Sequence, residues 1–78
     1  MNFANRIVRD PKTMLGKPCV KGTRLTVQLI LEYLAHNSIE DLLASYPQLK
    51  REDIQAALLY AASEVGSKMV VDTTESVA

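Results

Sequence analysis

Cys19 and His36 are the only thiol and the only imidazole in the chain. They lie far apart in sequence and cannot supply the four-ligand set that a structural zinc site requires. No residue beside Cys19 offers a base to ionise a nucleophilic thiol, and a lone cysteine in an apolar setting reads as a small core filler. His36 lacks a carboxylate partner pattern and reads as a helix-end histidine facing the negative end of the helix dipole. Glu52 and Asp53 are neighbours, but adjacent side chains on a helix diverge and make no acid–base dyad. The expectation is a chain that is not an enzyme and that needs neither cofactor nor metal.

What remains for chemistry is charge. The net charge is zero, yet its distribution is uneven. From Met1 to Leu25 stand Arg6, Arg9, Lys12, Lys17, Lys21 and Arg24 against Asp10 alone, a balance of +5. From Thr26 to Glu64, Lys50 and Arg51 face Glu32, Glu40, Asp41, Glu52, Asp53 and Glu64, a balance of −4. A basic arm on an acidic body suits an anion-binding surface such as the phosphate backbone of DNA. Lys50, Arg51 and Gln55 form a second DNA-binding candidate group, because they would open the second helix of a helix-turn-helix. Glu52 and Asp53 in the same turn oppose phosphate there, which makes the arm the better candidate. Arg24 reads more readily as a structural arginine bonded to carbonyls or a carboxylate than as a phosphate contact.

The elements that must position these groups follow from spacing. Arg6-Ile7-Val8-Arg9 is a short β-prone stretch ended by the turn pair Asp10-Pro11, and Cys19-Val20-Lys21 is a second one ended by Gly22, where φ > 0 is expected. Two such strands make a ribbon too small to stand alone in water. It must rest on helices or pair with another chain. Thr26 caps a first helix whose Val27, Ile30, Leu31 and Leu34 share one face, ending near His36-Asn37. Ser38 and Asp41 resemble a capping box for a second helix with Ile39, Leu42, Leu43 and Tyr46 on its apolar face, closed by Pro47. A third helix starts near Lys50, carries Ile54, Ala57, Leu58, Ala61 and Val65, and is expected to stop at Gly66 as its C′ residue. The fold class expected is mainly α: a three-helix helix-turn-helix bundle with a short N-terminal β-ribbon. Residues 1–66 form the domain and 67–78 a flexible tail. In that tail, Met69, Val70 and Val71 are apolar and could fold along a partner protein.

Three stretches carry a family resemblance. Arg6-Ile7-Val8-Arg9-Asp10-Pro11 fits an R-I-x-x-D-P opening. Gly16-Lys17-Pro18-Cys19-Val20-Lys21-Gly22-Thr23-Arg24-Leu25-Thr26-Val27 fits G-x-P-x-x-x-G-T-R-[IL]-x-V, and Tyr46-Pro47-Gln48-Leu49-Lys50-Arg51-Glu52-Asp53-Ile54 fits Y-P-x-L-x-x-E-D-I. Over the segment from Arg6 to Ala62 the chain resembles domain-of-unknown-function family 433, whose members look like VapB-type antitoxins of bacterial toxin–antitoxin pairs. The resemblance implies a homeodomain-like trihelical fold, a PIN-like nuclease toxin as the partner to be neutralised, and binding to the promoter of its own operon. Lys50 departs from the family pattern, where threonine is frequent, and lysine cannot accept from the backbone to cap the third helix.

A chain of 78 residues buries too small a core to be more than marginally stable, and a single cysteine excludes an internal disulfide. A homodimer, or a complex with a second protein, is therefore expected. A free thiol fits a reducing cytoplasm, and the chain has neither a membrane-length apolar run nor the layout of a secretory signal. The function expected is that of an antitoxin that binds its toxin and, through the arm, operator DNA. The alternative is a protein-interaction domain with no DNA affinity.

Overall fold

A computed structural model of the chain describes residues 3–68. Strand β1 (Ile7–Val8) pairs antiparallel with β2 (Cys19–Val20), and three helices follow: α1 (Val27–Leu34), α2 (Ile39–Ser45) and α3 (Arg51–Lys68). The chain is mainly α with a small ribbon, as its apolar spacing predicts.

The ribbon closes within one chain, in the register Ile7↔Val20 and Val8↔Cys19. Its placement is fixed from the other edge of β2. The amide of Val20 donates to the Leu25 carbonyl at 2.9 Å, and that of Val27 donates to the Pro18 carbonyl at 2.9 Å. These bonds tie β2 to the start of α1. The turn between them uses Gly22 at φ +80, a conformation that costs a side-chain-bearing residue about 1 kcal/mol or more. The Thr23 hydroxyl donates to the Val20 carbonyl and accepts from the Leu25 amide, so the Gly-Thr pair is a locked turn.

α1 is capped by the Thr26 hydroxyl, which accepts from the Leu29 amide at 3.0 Å. The helix closes at Leu34, two residues before the stretch expected. α2 starts with a complete capping box: the Ser38 hydroxyl accepts from the Asp41 amide at 3.0 Å, and the Asp41 carboxylate accepts from the Ser38 amide at 3.2 Å. Replacing Ser38 by alanine leaves one orphan amide at the start of this seven-residue helix and should cost about 1 kcal/mol, read as a fall in the urea midpoint with an unchanged slope. A loss below a few tenths would show that water caps the helix equally well.

One expectation fails at α3. Gly66 does not end it, because the helix runs through to Lys68 and Gly66 is not in the left-handed region. Open space surrounds the position, so nothing there forces a turn. Met69, Val70 and Val71 lie outside the described residues.

The core holds Ile7 and Val20 from the ribbon, Val27 and Ile30 from α1, Leu42 from α2, Leu49 from the turn, and Ile54, Ala56 and Ala57 from α3. The alanines let α1 lie close to α3. Tyr33 ties α1 to α2 through a 2.7 Å hydrogen bond with the Ser45 hydroxyl and an edge-on contact with Tyr46. Phe3 meets Tyr60 edge-on at 5.4 Å and holds the N-terminal turn on α3.

Candidate functional site

The sequence-derived cations divide into two groups. Arg6 reaches across the fold: its Nη1 donates to Oδ1 of Asp53 at 2.9 Å. Asp53 is only 7% exposed, and its other oxygen, Oδ2, accepts from the Lys50 backbone amide at 2.9 Å. This is half of a capping box, and it compensates the missing threonine at position 50. Asp53 thus joins the start of α3 to the strand that follows Arg6. The reading of Asp53 as a phosphate-repelling surface acid does not hold, because both oxygens are turned inward. Arg9 is committed too: its Nε donates to the Tyr60 hydroxyl at 2.8 Å, with the guanidinium carbon 5.8 Å from the ring centre. Arg51 pairs with Glu40 at 2.6 Å on the open surface. Its hydrogen bond holds the Glu40 carboxyl below its usual range. The pair's small contribution is present above that range and is lost as pH falls through the lowered value.

Lys12, Lys17, Lys21 and Arg24 form the second group, all exposed. None makes a side-chain hydrogen bond or ion pair to another described residue. For Arg24 this overturns the expectation of a structural arginine. The bonds that hold its loop come instead from Thr23, and the guanidinium faces a cavity of about 490 Å³ with Asp10, Thr13 and Thr23. Lys21 from the ribbon and Lys50 from the start of α3, remote in sequence, line one polar cavity of about 270 Å³ together with Arg6. The structure therefore brings the arm and the head of α3 together, with Gln55 exposed one turn further along.

Cys19 is fully buried, with its thiol toward the Lys17 carbonyl at 3.3 Å. Burial pushes the thiol's pKa up, away from the thiolate that a nucleophile needs. His36 is exposed at the end of α1. Among the described residues, no group of three His, Cys, Asp or Glu side chains could share a metal ion, and no helix is long and apolar enough to cross a membrane.

Leu58, expected on the apolar stripe of α3, is exposed together with Leu59 beside Gln55. Met14, Leu15 and Gly16 turn left-handed in succession, at φ 50, 59 and 79, and leave Leu15 92% exposed. Left-handed backbone at a leucine carries about 1–2 kcal/mol of strain, and no local residue pattern announces it.

The profile of a family described as "Protein of unknown function (DUF433)" matches residues 7–61 of the chain. No match was found among curated proteins or among solved structures.

Proposed function

Because the chain belongs to the DUF433 family, whose description assigns no activity, we propose from its surfaces that it is the antitoxin of a toxin–antitoxin pair. In this reading it binds and neutralises a small PIN-like nuclease, and its arm contacts the promoter of its own operon. The observation that carries the reading is the pairing of two unsatisfied surfaces. One consists of four exposed cations with no hydrogen-bond or ion-pair partner among the described residues, Lys12, Lys17, Lys21 and Arg24. The other is an apolar stretch of α3 at Leu58 and Leu59 that no described part of the chain covers. The first suits a phosphate backbone, and the second suits a protein surface.

A second reading, a protein-interaction domain without DNA affinity, is favoured by one observation. Arg6, Arg9 and Arg51 are all engaged within the chain, which removes three of the nine DNA-binding candidates. A mobility-shift assay with the upstream DNA separates the two readings.

The test of the antitoxin role is growth. Expression of the neighbouring reading frame alone should arrest the host, and co-expression of this chain should restore growth. Leu58→Asp with Leu59→Asp should abolish the rescue while the far-ultraviolet circular dichroism stays unchanged. A neighbour that is harmless, or a rescue indifferent to these substitutions, contradicts the proposal.

A further inference from the structure

We infer that the apolar groove between α1 and the C-terminal half of α3 is where a second copy of this chain docks, about a twofold axis. The groove has a volume of about 460 Å³, with Val27 and Leu31 on one wall and Tyr60, Ala61 and Val65 on the other. Val65 stands at its lip, 55% exposed. A domain of 78 residues has little core to spare, and covering this concavity would extend it.

Charge selects the occupant. Lys17, from the loop leading into β2, and Glu32, from α1, both line the groove and are exposed. Lys17 makes no side-chain hydrogen bond or ion pair among the described residues, and Glu32 receives only the Gln28 amide at 3.3 Å. In a twofold interface each residue that touches a second one is matched by the reciprocal contact. The groove's lining holds both signs, Arg9 and Lys17 against Glu32 and Glu64, and laid on itself it presents each sign to the other. A partner of uniform charge leaves one of the two facing its like. Ala61 and the neighbouring Ala62 are small enough for two copies of α3 to approach closely, and Val65 of each protomer seats against Val27 and Leu31 of the other.

Leu58 and Leu59 are not among the residues that line the groove, so this contact stands whether or not the antitoxin reading does. It needs only the purified full chain.

Sedimentation equilibrium reads it directly. The wild type should be a dimer. Val65→Asp should weaken dimerisation at least about a hundredfold, because it places an unpaired charge in an apolar contact. Val65 is exposed, so the variant should remain folded by circular dichroism. Lys17→Glu and Glu32→Lys should each weaken the dimer about tenfold, since symmetry doubles every pair, and together they should restore it to within a few-fold. A wild type that stays monomeric up to roughly 100 μM, the range of a weak specific dimer, overturns the inference. So does a dimer indifferent to Val65→Asp, or a charge swap without recovery. If Val65→Asp leaves the oligomeric state alone and instead strips a co-expressed partner protein, the groove belongs to that partner and the inference is wrong.

Discussion

Replacing Asp53 by alanine should destabilise the fold more than any other single change at a polar position. One carboxylate accepts from the Arg6 guanidinium and from the Lys50 amide, and the residue is 7% exposed. Its removal leaves a cation without its counter-charge and an amide without an acceptor. Losing one member of a buried pair costs about 3–5 kcal/mol. The Arg6 side chain is 35% exposed, so water screens part of that loss, and about 2–3 kcal/mol is the expected result. For a domain of this size that corresponds to a fall of roughly 10–20 °C in melting temperature. Asp53→Asn, which keeps an acceptor for the Lys50 amide, should lose roughly half as much. A double-mutant cycle with Arg6→Ala should show coupling of about 1 kcal/mol or more. Additive losses would mean that Asp53 acts through the α3 cap alone.

The second large effect concerns DNA. Substituting Lys12, Lys17, Lys21 and Arg24 together by alanine should leave the stability of the folded chain within about 1 kcal/mol, since these exposed side chains make no hydrogen bond or ion pair to another described residue of the chain. Affinity for the upstream promoter should nonetheless fall by roughly two orders of magnitude. The slope of log affinity against log salt should flatten by about 3–4, the value for four lost phosphate contacts. Substituting Arg6 or Arg9 should do the reverse, lowering stability with little change in the salt slope. Fluorescence anisotropy across a salt series distinguishes the two sets. An unchanged slope in the fourfold variant removes the arm from DNA recognition.

The helices were legible because their signals are local. Ser38 and Asp41 are three residues apart and form the capping box that their spacing predicts. Val27 and Ile30 face the core as their period requires. The division of the cations was not legible, because Arg6 and Asp53 are separated by 47 positions and neither carries a mark of the other. A clue existed in retrospect. A helix that begins at a lysine needs its capping acceptor from elsewhere, and an aspartate three residues on can serve its amide. The pairing of the ribbon also stayed open, because two-residue strands carry almost no register information. Backbone bonds from β2 to Leu25 and from Val27 to Pro18 hold β2 against the start of α1, and β1 pairs along its other edge. Gly66 misled because glycine is permissive, and permission to leave a helix is no obligation to do so. The left-handed run at Met14 and Leu15 had no signal at all, since such backbone is rare for these residue types. It stands in the loop that also carries Lys12 and Lys17.

The proposed antitoxin role rests on the surfaces left unsatisfied by the fold, and binding to the neighbouring gene's product is its most direct trial. Titrating that purified product into the chain in a calorimeter should give saturable, tight binding, submicromolar or better. Leu58→Asp with Leu59→Asp should abolish the heat, and alanine at Lys12, Lys17, Lys21 and Arg24 should leave it nearly unchanged. A flat titration with a folded, active neighbour would contradict the proposal that this chain is its antitoxin.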